Sequence, residues 1–303
     1  MEVSLFASSN RPKLYESFFK SIKGTSVEFE VVFSGNCNLS DLELFNDWFN
    51  RGLIGKNPDV PACQWRYYVT KNIKPAQCYE IARRACSGQV VLWVADDFEF
   101  PNDVIGKAYR YWKSQDNEKL ILSIQTRETG YRLPQGAMFD MRDHCFFGYQ
   151  RSTPLMAPAA LMSRKVLEDI GGIDRRYVCG QYENDIVMRV LAIGGKVEVF
   201  GGTDCFIDID HLGKSFKIGE SKTEFDFLKR PFATGYQEDR AVLERSWVDS
   251  IKRFKYISKT GEVIRNRWIV PDALPARYDE FEPFTFDETK ILQESESIRG
   301  QWI

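Results

Sequence analysis

At 303 residues the chain has room for one large domain, or for a domain with a substantial appendage. Its 41 basic and 43 acidic residues leave a formal charge of -2, which excludes a nucleic-acid coat or a polybasic membrane anchor as the organising feature. Seven cysteines, widely spread and without a CxxC pair, point to reduced thiols in a cytoplasmic protein and away from a disulfide framework or zinc knuckle.

The opening Met1-Glu2-Val3-Ser4-Leu5-Phe6-Ala7 lacks a basic region and a long apolar run, so it reads as a first strand rather than a signal peptide. No apolar stretch approaches the roughly 18 residues that cross a bilayer, so no transmembrane anchor is expected. After that strand, Pro12 opens a helix to about Ile22 whose Leu14, Phe18, Phe19 and Ile22 share one face. Phe29 to Phe33 reads as a second strand, followed by a glycine-bearing polar region with a helix near Asp41 to Phe49, and then a strand from Trp65 to Val69. Pro75 begins another helix, with Cys78, Ile81, Ala82 and Ala85 on one side, and Gly88 ends it.

Val90-Val91-Leu92-Trp93-Val94 then forms a continuous apolar run, the pattern of a strand buried on both faces. It leads directly into Asp96, Asp97 and Glu99. Clustered carboxylates repel one another unless a cation or a donor group stands among them. The carboxyl end of a buried strand in an α/β sheet is also where ligands bind. A polar turn capping the next helix accounts for Asn102 or Asp103, but poorly for the acids before it.

That helix runs to Trp112, and Leu120 to Ile124 is a further strand. Residues 126–160 read as irregular and aromatic-rich, suited to a binding wall. A short helix over Lys165 to Ile170, a helix from Glu183 to Ile193, and strands at Lys196 to Phe200 and Phe206 to Ile209 complete the pattern. The alternation predicts an α/β fold: a mainly parallel sheet flanked by helices. A change of composition near residue 215 sets off an α-rich C-terminal extension, partly helical around Arg240 to Phe254. Two histidines, His144 and His211, exclude any site built on three imidazoles.

Four separated signatures in this order make the chain resemble the GT-A-fold glycosyltransferases, particularly the family-2 type that uses nucleotide-sugar donors. They are Ser8-Ser9-Asn10-Arg11-Pro12 after the first strand, Ala95-Asp96-Asp97 after the buried strand, Glu183-Asn184-Asp185-Ile186-Val187-Met188-Arg189, and His211 after a late strand. The resemblance covers about residues 3–213 and implies a Rossmann-like catalytic domain over 1–214, with a donor half near 1–100 and an acceptor half near 101–214. Residues 215–303 would then pack on this core as an extension or lid. Two departures stand out. Ala95 occupies the first position of a strict Asp-x-Asp metal motif ending at Asp97, and the acidic helix start reads Glu-Asn-Asp instead of Glu-Asp.

The implied reaction moves a sugar from a nucleoside diphosphate to an acceptor hydroxyl. The leaving diphosphate calls for a divalent cation, Mn2+ or Mg2+, on hard ligands. Asp97 is the first choice for contact with it, Asp96 serves the donor ribose or the metal shell, and Glu99 is a lesser candidate. His211 completes the coordination or is a surface turn histidine. Glu183, six residues before Arg189, is the expected base, and Asp185 its support through an i,i+4 ion pair with Arg189. Shelter by Tyr182 and Trp93 would raise the base toward a useful pKa. Attack opposite the leaving group implies inversion.

Ala7, Ser9, Asn10 and Arg11 from the first strand end, Gly35 and Asn36 from the second, and the stretch around Lys71, Asn72, Pro75 and Ala76 would surround the nucleotide. Arg11 reads equally as a helix-start surface charge or as a phosphate or base contact. Phe139, Phe146, Phe147 and Tyr149 read as core or as a stacking surface, and Lys214 and Lys217 as part of a lid. His144 reads as an acceptor-loop or surface residue. The acceptor is a glycan, a lipid-linked sugar, a protein or a modified nucleic-acid base. Two other readings compete: a nucleotidyltransferase, which would normally carry a glycine- and lysine-rich phosphate loop, and a degenerate module that binds carbohydrate without turnover.

Overall fold

The computed structural model describes residues 1–35, 64–69, 75–132, 138–140, 159–174, 176–201, 205, 207–209, 232–258 and 261–268. Its centre is a seven-stranded sheet in the order β10-β6-β9-β4-β1-β2-β3. These strands are β1 (Val3–Ser8), β2 (Phe29–Gly35), β3 (Gln64–Val69), β4 (Val90–Trp93), β6 (Leu120–Ile124), β9 (Ala160–Ser163) and β10 (Lys196–Phe200). All neighbours run parallel except β9, which is antiparallel to both β4 and β6.

The strand sequences supply both faces of this sheet. Val3, Leu5 and Ala7 of β1, with Val90 and Leu92 of β4, pack into one core, while Phe6, Val91 and Trp93 pack into the other. Alternation with period two therefore feeds two apolar layers. The first layer is covered by α1 (Tyr15–Ile22), preceded by a 3-10 turn over Pro12–Leu14, and by α3 (Val104–Ser114). The second is covered by α2 (Pro75–Arg84), α4 (Arg164–Asp169) and α5 (Tyr182–Ala192). The result is the expected three-layer α/β arrangement.

Strand order places the functional end. The chain goes from β1 outward through β2 to β3, then returns to the other side of β1 as β4. This reversal makes the carboxyl ends of β1 and β4 a topological switch point, where an open α/β sheet leaves a crevice.

Two stretches differ from expectation. Residues 126–160 are not wholly irregular: β7 (Thr126–Arg132) and β8 (Met138–Asp140) join β5 (Phe98–Glu99) and β11 (Ile207–Ile209) in a second sheet of order β5-β11-β7-β8. The C-terminal extension contains α6 (Phe232–Ser246), but residues 251–254 are strand rather than helix. They begin a hairpin of β12 (Ile251–Ser258) and β13 (Gly261–Trp268). Among the described residues, no helix is long and apolar enough to cross a membrane, and Cys78, Cys86, Cys179 and Cys205 form no disulfide.

Candidate active site

Ser9, Arg11, Asp96 and Asp97 meet at the switch point. Ser9 continues the β1–β2 ladder through its N–H to the Ser34 carbonyl at 2.9 Å, and its own carbonyl accepts from the Tyr67 hydroxyl at 2.6 Å. This packing leaves no room above Gly35: a Cβ there would stand 1.9 Å from the Ser9 carbonyl oxygen. Gly35 is therefore required for close approach of two backbones, which gives a steric reason for a glycine at a position expected to face the nucleotide.

The Ser9 hydroxyl donates to Asp96 Oδ2 at 2.5 Å and lies 2.8 Å from the Tyr15 hydroxyl. The Arg11 guanidinium grips the same carboxylate, with Nε 3.2 Å from Oδ2 and a second bond to Oδ1, and stands 3.5 Å from Asp97. Arg11 is thus not a solvated surface charge; it is engaged with the acidic pair. Burial raises the Asp96 pKa, opposed by the Arg11 charge and assisted by that of Asp97. Asp96 accordingly accepts two bonds at Oδ2 and one at Oδ1 from protein donors. Glu99 is drawn aside, accepting from Ser17 on α1.

A divalent cation at this end of the sheet finds Asp97 as a hard oxygen donor beside an already neutralised Asp96. Ile209 at the end of β11 is paired with Phe98, next to Asp97. Among the described residues, no three His, Cys, Asp or Glu side chains gather as a metal cluster. Of the described residues, Asp97 would supply one hard oxygen donor to such a cation, and further ligands would have to complete its coordination. Asn36, Lys71, Asn72, His144, Phe146, Phe147, Tyr149, His211, Lys214 and Lys217 lie outside the described residues, as does the helix expected near 41–49.

Glu183 sits in the first turn of α5. Burial pushes its carboxyl up to about 7, against its own backbone N–H, with the Asp239 charge adding to the rise. Tyr182 beside it is buried against Tyr79, the ring centroids 5.2 Å apart, and the Tyr79 hydroxyl donates to the Val94 carbonyl at 2.8 Å. This chain of contacts links the start of α5 to the end of β4. Trp93 lies in the same apolar layer as Tyr182.

Asp185 is committed elsewhere. It accepts from Arg189 Nε at 2.8 Å and from the Trp247 indole at 2.9 Å, while Arg189 also donates to the carbonyls of Ile170 and Gly172 at 2.6 and 2.7 Å. The expected i,i+4 pair is present and buried. Its work is to hold α5 in place.

The main contribution that sequence reading missed comes from the extension. Asp239 of α6, wholly buried, accepts from the backbone N–H groups of Val178, Cys179 and Gly180 at 2.7, 2.8 and 2.8 Å. Arg176, bound to Asp174, donates to Ser246 at 3.3 Å. The preceding stretch is also tied to α2, where the buried Ala76 donates its N–H to the Val178 carbonyl at 3.1 Å. An aspartate after Gly-Tyr-Gln-Glu in a charged helix carries no local pattern pointing to these amides. The signal was its position on a helix that also holds Leu243, beside Trp247.

No protein-family model matches the sequence, and a search of curated proteins finds no match. Solved structures do match. The crystal structure of S. aureus TarS superposes with a TM-score of 0.51 at 15% identity, over 82% of this chain and 44% of that one. Residues 1–349 of TarS in complex with UDP-GlcNAc give 0.52 at 14% identity, over 82% and 73%. GalNAc-T7 with UDP, GalNAc and Mn2+ gives 0.50 at 13% identity, over 70% and 44%. The chain thus spans under half the length of the first and third of these. What they share with it is the architecture: the chain has a GT-A glycosyltransferase fold.

Proposed function

We propose that this protein is a glycosyltransferase that takes a UDP-sugar and transfers the sugar, with inversion, to a hydroxyl of a glycan, protein or modified nucleic-acid acceptor. The observation that carries this reading is the convergence of Arg11, Asp96 and Asp97 at the carboxyl ends of β1 and β4. The uridine donor is taken from the neighbours: TarS 1–349 was crystallised with UDP-GlcNAc and GalNAc-T7 with UDP.

In this reading the nucleotide lies over Ala7, Ser9, Asn10, Arg11, Gly35, Asn36, Asn72, Ala76 and Asp96. Asp97 and His211 would hold Mn2+ or Mg2+, whose charge offsets that growing on the leaving diphosphate. Arg11 keeps Asp96 compensated, so the pair does not repel the phosphates as two free carboxylates would. Glu183 takes the proton of the attacking hydroxyl on its carboxylate. With its pKa at about 7 it is a stronger base than an exposed glutamate and is half ionised near neutrality. Turnover therefore rises with pH through about 7.

A thermal-shift panel of UDP, GDP, CMP and dTDP, each with and without Mn2+ or Mg2+, tests the donor site. UDP with metal should raise the midpoint most, by mass action on the folded state, and Asp97→Asn should lose the metal-dependent part. No shift with any nucleotide would remove the donor assignment.

A further inference from the structure

We propose that Asp239, on α6 of the C-terminal extension, is a positioning residue for Glu183: its carboxylate gathers the amides of Val178, Cys179 and Gly180 and fixes the turn from which the base's helix starts. This rests on the reading of Glu183 as the base. Three successive backbone N–H groups converge on one side chain about sixty residues downstream, with bonds of 2.7, 2.8 and 2.8 Å. Such a cradle is an anion site made of main chain, and here the protein supplies the anion itself.

The next residue shows why the turn needs holding. Gln181 adopts φ 64°, the left-handed region, immediately before α5, and it is not a glycine. A strained residue of this kind persists only where its surroundings over-determine it. Here they do: Ala76 of α2 holds Val178 from one side and Asp239 holds residues 178–180 from the other. Glu183 follows Gly180 by three positions, so a shift of this turn moves the base.

Asp239 also has an electrostatic consequence that a mere tether lacks. Its charge faces Glu183 from α6 and, after burial, adds to the upward displacement of the Glu183 carboxyl. The Tyr182 side chain, on the base's own helix and against Tyr79 of α2, acts in the opposite sense. Removing the Asp239 charge should therefore lower the pKa of the base in the folded protein, whereas a smaller folded fraction alone would lower the plateau of kcat without moving its acid limb.

The experiment compares the full chain with Asp239→Asn and Asp239→Glu. It reads the pH profile of UDP release from UDP-GlcNAc, together with 13C NMR titration of glutamate-labelled protein, in which Glu183→Gln identifies the Glu183 signal. For Asp239→Asn, both the acid limb of kcat and the Glu183 titration should move down by about one pH unit, with plateau kcat about tenfold lower and KM little changed. Asp239→Glu, which keeps the charge but displaces the turn, should titrate near the parent value with reduced kcat. An unmoved limb and titration in Asp239→Asn would overturn the proposal. If Asp239→Asn does not fold, parent-like kcat in Asp239→Glu would overturn it instead. Undiminished UDP release in Glu183→Gln would end the base reading, and the NMR titration would still decide whether Asp239 sets the Glu183 carboxyl.

Discussion

Glu183 is stabilised as a neutral acid in the fold and is useful as an anion, so its two properties pull against each other. Its folded-state pKa of about 7 lies above the ordinary value of 4.5. The folded chain therefore binds a proton that the unfolded chain has released between those pH values. The associated stability is complete below about 4.5 and is lost as pH rises through about 7. Glu183→Gln should accordingly raise the melting temperature at pH 8 by on the order of 2–4 °C, and by less at pH 5. The same variant should lower UDP release by roughly 10²–10⁴-fold. Arg11 offers the converse case. Arg11→Ala strips a buried carboxylate of its partner and should cost about 3–5 kcal/mol at pH 8. The loss should shrink on acidification as Asp96 takes up a proton, which chemical denaturation at two pH values would reveal.

Among the elements, those that pack by a regular period were readable and those fixed by distant partners were not. Val90–Trp93 announces a central strand because every side chain is apolar, and α5 announces itself through Ile186, Val187, Val190 and Leu191. β7 does not: Thr-Arg-Glu-Thr-Gly-Tyr-Arg has no apolar alternation, and its strand character comes from pairing with β11 and β8. The β12–β13 hairpin was masked in the same way by its lysines and arginines. In the site, Asp96, Asp97 and Glu183 were legible from local motifs. The partners that set their chemistry, Arg11 on Asp96 and Asp239 near Glu183, lie 85 and 56 residues from them and leave no short-range trace. Trp247 belongs with these. Trp247→Phe keeps the apolar bulk but removes the indole donor to Asp185, and should cost about 1–3 kcal/mol in urea unfolding.

At the scale of the molecule, α6 ties the residues after the expected boundary at 214 to the core. Leu243 and Trp247 share the apolar layer of Ile186 and Val190, and α6 also supplies Asp239 and Ser246 to the turn before α5. A chain cut after residue 214 uncovers that layer and leaves the amides of 178–180 without their acceptor. It should fail to show the cooperative melt expected of the full chain.

The single reversed strand, β9, sets how much this fold can vary. Because it runs against β4 and β6, the chain leaves β6 and re-enters the sheet at the same rim, and the Ile124 N–H meets the Ala159 carbonyl at 2.8 Å. The segment between those two residues is held at both of its ends at this rim, and within it β7 pairs with β11 of the second sheet. Lengthening it costs only the slow logarithmic entropy of a larger closed loop. A longer connection between Ile124 and Ala159 would thus leave the order and register of the seven-stranded sheet as they are.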